Sequence, residues 1–130
     1  MTTVLTNRPT GVAVRAAISI TLLVSGLVHA YLYVHGYHDI PIVGPAFLLQ
    51  GSAFIALAIL ILCDGPRWLQ WAAGLGALAS LVAFALSRTV GLVGFIERGW
   101  EPPYGPLAVI AEVLTVLIVA ASLHSPKRSR

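Results

Sequence analysis

The sequence predicts an all-α fold, an integral membrane four-helix bundle, and two observations lead to this prediction. Hydrophobic residues make up 58% of the 130-residue chain and charged residues only 10%, with a mean hydropathy of +0.88. That composition is too apolar for a soluble domain. The apolar residues also fall into four segments of about 20 residues, the length that a helix needs to cross a bilayer.

The spans are placed by the extent of these segments. They cover residues 12–34, 40–63, 68–90 (or up to 95) and 105–123. Together they form one transmembrane domain, residues 12–124, between an N-terminal tail of residues 1–11 and a basic C-terminal tail of residues 125–130. A signal peptide is the alternative for the first span, because Val28-His29-Ala30 resembles a cleavage site. The apolar stretch continues to Val34, which favours a retained helix.

The basic residues predict the orientation. Most of them lie in the tails, their flanks and the second connection: Arg8, Arg15, Arg67, Lys127, Arg128 and Arg130. Lys and Arg concentrate on the cytoplasmic side of membrane proteins. We therefore expect both termini to be cytoplasmic and the first and third connections to lie outside. The same topology explains the net charge of +3, so no nucleic-acid partner is predicted.

Each predicted span contains one polar or ionisable side chain at a similar depth: His29, Gln50, Arg88 and Glu112. With a helical rise of about 1.5 Å per residue, each lies about 10 Å below the outer boundary, provided that the third helix continues towards residue 95. Such residues usually face a bundle interior or a cavity. We predict a polar ligand-binding site near the outer leaflet.

Two interpretations of this layer remain open. In the structural one, Arg88 and Glu112 form an ion pair, and His29 and Gln50 complete its hydrogen bonds. In the functional one, the four groups line a pocket where Arg88 contacts an anionic head group and His29 or Glu112 exchanges protons.

Helical phase and a faint repeat support the layer. Thr21, Ser25 and His29 are spaced four apart, so they form one stripe that should face protein. Pro and Gly residues open the second span at 41–45 and the fourth at 103–106. This similarity predicts two parallel-repeat helical hairpins.

The outer connections contain a second group of polar residues. These are weak candidates for a divalent metal site: His35, His38, Asp39, Glu97 and Glu101. Haem between His29 and either His35 or a second protomer is a further hypothesis, as is quinone contact through His29.

Short strings run through most of the chain from the first span onward. They are His29-Ala30-Tyr31-Leu32, Gly36-Tyr37, Ile40-Pro41, Gly44-Pro45, Phe47-Leu48-Leu49-Gln50, Leu86-Ser87-Arg88, Gly91-Leu92, Gly94-Phe95, Glu97 and Ala111-Glu112. On these strings the chain resembles a family of small uncharacterised four-span integral membrane proteins of actinobacteria. The resemblance implies a bacterial inner membrane and no assigned activity. The size is also similar to that of small multidrug transporters, but those carry their essential glutamate in the first helix, where this chain has His29.

No catalytic residue is predicted, because the sequence contains no nucleophile with its base, no phosphate loop and no complete metal set. We expect a ligand- or lipid-binding membrane protein, or an accessory subunit that associates with other membrane subunits or with itself. One alternative is a redox subunit that binds haem or quinone through His29. The other is a proton-coupled small transporter that uses Glu112.

Overall fold

Four helices and one helical turn make up the fold. The computed structural model describes residues 2–99 and 102–124. Its helices are α1 (Thr2–Leu32), α2 (Val43–Leu62), α3 (Trp68–Arg88) and α4 (Tyr104–His124), and a π-helical turn at Tyr33–Tyr37 follows α1. Over these residues there is no strand, only an isolated bridge between Leu92 and Phe95. The predicted all-α four-helix fold is confirmed.

Each helix contains a stretch that is long and apolar enough to cross a membrane. These stretches are Gly11–Tyr37, Val43–Leu62, Trp68–Arg88 and Tyr104–Ser122. Large apolar side chains point away from the bundle on all four helices; Ile20, Leu49, Leu75 and Leu117 are 58% to 71% exposed. Soluble proteins rarely expose apolar surface of this extent, whereas lipid covers it favourably. The chain is a multi-pass membrane protein suited to a lipid bilayer.

The two ends of the bundle differ in the length of their connections. The α1–α2 connection, residues 33–42, and the α3–α4 connection, residues 89–103, lie at one end, which we call the long-connection end. The α2–α3 connection, residues 63–67, lies at the opposite, short-connection end. Because the helices alternate in direction, α1 begins and α4 ends at the short-connection end.

Helix α1 is central to the packing. It contacts α2 and α4 extensively, whereas α3 packs mainly against α4 and touches α2 and α1 little. Glycines explain the close α1–α2 contact: a methyl group on Gly26 would lie 3.1 Å from the Gly51 carbonyl oxygen, and one on Gly51 would lie 3.0 Å from that of Gly26. Such small residues let two helix backbones approach closely.

An apolar core fills the short-connection half of the bundle. Its buried members come from all four helices: Ile18, Leu22, Phe54, Ala58, Ile61, Leu69, Ala73 and Val119. Next to it, the Arg15 guanidinium donates to the Ile61 carbonyl at 3.2 Å and lies 3.4 Å from the Asp64 carboxylate. These contacts attach α1 to the end of α2 and to the short connection.

The first two helices begin at residues other than those predicted. Helix α1 begins at Thr2, although its membrane-length stretch begins at Gly11, close to the predicted residue 12. Helix α2 begins at Val43 rather than at residue 40, because the backbone turns at Pro41 and at Ile42, whose φ is 69°. The predicted tail of residues 125–130 lies outside the described residues.

The suggested continuation of the third span to residue 95 is wrong. Helix α3 ends at Arg88, and Thr89 leaves the helical conformation with φ −118° and ψ −83°. A tight turn follows, in which Val93 and Gly94 have positive φ and the residues flanking them, Leu92 and Phe95, exchange two backbone hydrogen bonds of 2.8 Å. The apolar segment beyond Arg88 therefore folds back as a loop.

Candidate ligand-binding site

Three of the four predicted site residues meet at one carboxylate. Oε2 of Glu112 accepts a hydrogen bond from the Ser25 hydroxyl at 2.7 Å and one from the Gln50 amide nitrogen at 3.2 Å. His29 Nε2 lies 3.8 Å from the same oxygen. The Gln50 amide also donates to the Ser80 hydroxyl at 2.8 Å. Side chains from all four helices thus join one polar cluster.

This cluster is enclosed by the bundle. Glu112 is 2% exposed, His29 7% and Ser25 0%. A carboxylate removed from water is costly unless hydrogen bonds and charges compensate it. The hydrogen bonds that Glu112 accepts from Ser25, Gln50 and Ser80 supply that compensation.

The orientation of His29 follows from its hydrogen bond to the backbone. Its Nδ1 lies 2.8 Å from the Ser25 carbonyl oxygen. A carbonyl only accepts hydrogen bonds, so Nδ1 carries the hydrogen. The other ring nitrogen, Nε2, is the one nearest Glu112. The edge of the ring packs against Phe47, with centroids 4.9 Å apart.

Arg88 occupies a different position from the other three. Its guanidinium lies over the Phe84 ring, 4.7 Å from the centroid, and donates a hydrogen bond to the Gly99 carbonyl. Among the described residues no ion pair joins Arg88 to Glu112, so the structural interpretation, in which these two residues form a pair, is wrong. The reason is the end of α3 at Arg88, which places this residue beside the loop rather than at the depth of Glu112.

All four predicted residues nevertheless line one cavity at the long-connection end. Its volume is about 100 Å³. Gln50, Ser80, His29 and Glu112 form the polar part that we call the floor. Apolar and aromatic side chains form the walls: Leu32, Val43, Phe47, Ala83, Phe84, Ala108 and Val109. Arg88 and residues of the α3–α4 connection, among them Phe95 and Glu97, form what we call the mouth.

Hydrogen bonds attach the α3–α4 connection to the rest of the bundle. The Glu97 amide donates to the Ser87 carbonyl at 2.7 Å, and the Tyr37 hydroxyl donates to the Glu97 carboxylate at 2.9 Å. Tyr37 in turn stacks on Phe47, with ring centroids 4.7 Å apart. The loop is thereby connected to the α1–α2 connection and to α2, across the mouth of the cavity.

The weak metal candidates are not brought together. His35 Nδ1 donates to the Tyr31 carbonyl at 2.9 Å and the ring stacks on that of Tyr31, while His38 lies 3.2 Å from Asp39. Glu97 is bonded to Tyr37 as above. Among residues 2–99 and 102–124, no group of three or more His, Cys, Asp or Glu side chains has the proximity that a metal ion needs. Glu101 lies outside these residues.

Two members of the cluster were not assigned a site role from the sequence. Ser25 is part of the stripe spaced four apart on α1, so its inward direction was predictable, but its bond to Glu112 was not. Ser80 was not predicted from the sequence. A pattern on one helix gives the direction of a side chain but not the residue that it meets on another helix.

Comparison of the chain with family models, with curated proteins and with solved structures found no match.

Proposed function

We propose that this chain is a small membrane protein that binds an amphipathic small molecule in the cavity at the long-connection end. The observation that supports this most is the buried Glu112 carboxylate. The hydrogen bonds from Ser25 and Gln50 both fall on Oε2, Ser80 also bonds to the carboxylate, and Glu112 lines the cavity. A carboxylate accepts about four hydrogen bonds, so it retains capacity for a bound molecule.

The composition of the cavity supports the same role. Ligand sites combine mostly apolar and aromatic walls with a few convergent polar groups. Here Phe47 and Phe84 belong to the walls, and His29, Gln50 and Glu112 converge at the floor. An apolar body between the rings and a polar group at the floor would match both surfaces.

Packing below the cavity favours binding over transport. One turn beyond Glu112, Thr115 donates to Thr21 at 2.7 Å. The next layer towards the short-connection end contains Ile18 and Leu22, both 0% exposed. Proton-coupled transport through Glu112 would require this layer to open, whereas binding from the long-connection end does not.

The redox alternative receives less support in its haem form. A bis-histidine site within one chain needs a second imidazole near His29. His35 instead stacks on Tyr31 at an exposed position, with ring centroids 3.9 Å apart.

For the cellular setting, we propose the bacterial cytoplasmic membrane with both termini inside. Arg15 lies near the short-connection end, and Arg67 lies in the short connection itself. Cationic residues favour the cytoplasmic face. The cavity then faces the periplasmic side, where an accessory subunit or a ligand-binding protein would receive its ligand from the outer leaflet.

A cavity-filling substitution tests the proposed function. In Ala83→Trp, the indole fills the space between Phe47 and Phe84, whereas Ala85→Trp places the same side chain on the exposed face of α3. We expect wild type and Ala85→Trp in nanodiscs to bind phenylbutylamine, measured by equilibrium dialysis. Ala83→Trp should lose at least about 90% of this binding, because the probe and the indole occupy the same volume. Phenylbutanol and phenylbutanoate are dialysed in parallel.

Comparison of the three proteins distinguishes binding of a probe in the cavity from its partitioning into the lipid. Probe that partitions into the bilayer contributes equally to all three proteins. If Ala83→Trp binds each of the three probes as well as Ala85→Trp does, the cavity is not a binding site and the proposed function is wrong.

A further inference from the structure

The floor of the cavity presents more hydrogen-bond acceptors than donors. The Glu112 carboxylate can accept about four hydrogen bonds, more than Ser25, Gln50 and Ser80 supply. Gln50 directs its amide nitrogen to Ser80 and to Glu112, at 2.8 Å and 3.2 Å. Since a carboxylate accepts and does not donate, this assignment of the amide is required, and the carbonyl oxygen of Gln50 is left as a further acceptor.

The donors near the floor are mostly occupied. The Ser25 hydroxyl donates to Glu112, and His29 Nδ1 donates to the Ser25 carbonyl. His29 therefore presents Nε2, which in the neutral ring is an acceptor. The Ser80 hydroxyl accepts from Gln50 and is itself bonded to Glu112, so the neutral donors of these residues are all directed at other groups of the floor. A bound group that donates hydrogen bonds fits this inventory, and a group that only accepts does not.

The positions of the charged side chains in the cavity also favour a bound group that donates hydrogen bonds, and in particular a cation. Its ionisable lining comprises Glu112 and His29 at the floor and Arg88 and Glu97 at the mouth. Arg88 donates to the Gly99 carbonyl at the mouth, and Glu97 accepts from Tyr37 and from the Gly99 amide. The positive charge is therefore directed at the loop, whereas the Glu112 charge lies at the floor. A carboxylate in a medium of low dielectric constant attracts a cation strongly.

The aromatic walls add to this attraction. Phe47 lies against His29, and Tyr37 stacks on Phe47 from the side of the mouth. The faces of aromatic rings carry negative partial charge and stabilise cations within about 6 Å. The walls thus provide an apolar environment that also tolerates a positive charge.

We infer that the molecule bound in this cavity carries a protonated amine, which donates its hydrogen bonds to Glu112, Gln50 and His29 while its apolar part lies between the aromatic walls. The inference rests on the proposed function and specifies its ligand class. It departs from the interpretation in which Arg88 contacts an anionic head group. It also disfavours a quinone, because a quinone head group offers only acceptors to an acceptor-rich floor.

Three probes with the same phenylbutyl body test the inference: phenylbutylamine, phenylbutanol and phenylbutanoate. Binding to wild-type protein in nanodiscs is measured by equilibrium dialysis, after subtraction of the binding to Ala83→Trp. We expect the amine to bind at least about tenfold more tightly than the alcohol, the ratio that corresponds to a charge-assisted hydrogen bond. The carboxylate should bind most weakly, because it approaches Glu112 with a like charge.

A neutral substitution identifies the residue responsible. Glu112→Gln removes the charge and nearly preserves the shape, and it should weaken amine binding by about tenfold or more with less than a threefold effect on the alcohol. Asp39→Asn, which removes a charge from an 86% exposed side chain outside the cavity, should change neither.

The outcomes separate the two proposals. Equal binding of amine and alcohol by wild-type protein, or tighter binding of the carboxylate, overturns the inference about the amine but leaves the cavity as a binding site. Loss of all three probes to the level of Ala83→Trp overturns the proposed function itself. The comparison of the three probes on wild-type protein tests the inference about the amine even if Glu112→Gln does not fold.

Discussion

At the residue scale, the structure depends on how a carboxylate is accommodated inside an apolar bundle. Glu112 is 2% exposed and accepts its shortest hydrogen bond, 2.7 Å, from Ser25 on α1. The Ser25 carbonyl also accepts from His29 Nδ1, which orients the ring. One small residue thereby fixes two of the ionisable groups in the cluster.

Removing the Ser25 hydroxyl should lower the free energy of unfolding. In Ser25→Ala, the buried carboxylate loses a donor, and a loss of about 1–3 kcal/mol is the ordinary cost of an unmade hydrogen bond to a buried charged group. Ser52→Ala, on an exposed position of α2, should change the free energy by less than about 0.5 kcal/mol. Unfolding in mixed micelles measures both, and equal values for the two variants would show that Ser25 does not support Glu112.

The sequence predicted some of these residues better than others. His29, Gln50 and Glu112 were expected to converge because each is expensive in lipid and lies at a similar depth, and the structure brings them together. Arg88 was placed too deep, because residues 90–95 have the composition of a helix but form a turn. Val93 has a φ of 43° there, a conformation that β-branched residues rarely adopt, so the local sequence gave no indication of it.

At the element scale, the contact between α1 and α2 depends on two glycines that face each other. The backbones approach so closely at Gly26 and Gly51 that a methyl group added to either glycine meets the carbonyl oxygen of the other. The extents of the membrane-length stretches were predictable from apolar length to within a few residues, apart from the suggested continuation of the third to residue 95. This pairing was not, because glycine composition on each helix does not specify which helix is the neighbour.

Two glycine substitutions should have opposite effects on stability. Gly51→Ala places a methyl group 3.0 Å from the Gly26 carbonyl oxygen, so the helices must separate, at a cost of about 1–3 kcal/mol. Gly11→Ala meets nothing closer than 3.8 Å and should be neutral or stabilising by up to about 1 kcal/mol, as alanine favours a helix. Thermal unfolding in detergent measures both. A Gly51→Ala protein as stable as Gly11→Ala would show that α1 and α2 are not in this contact.

At the scale of the whole molecule, the bundle has two halves of different character. The short-connection half is an apolar core, and the long-connection half contains a cavity with a polar floor to which every helix contributes. Exposed apolar side chains surround both halves. A site built in this way exists only when the four helices assemble, so the proposed binding role and the fold depend on the same contacts.

The proximity of His29 and Glu112 is the central claim, and a dipolar coupling measures it directly. Solid-state NMR on protein in lipid, with ¹⁵N in histidine rings and ¹³C in glutamate carboxyl groups, detects pairs of such nuclei that lie close together. The structure, with 3.8 Å between His29 Nε2 and Glu112 Oε2, predicts a coupling that disappears in His29→Phe and in Glu112→Gln. A spectrum in which those two substitutions remove no coupling would contradict the account.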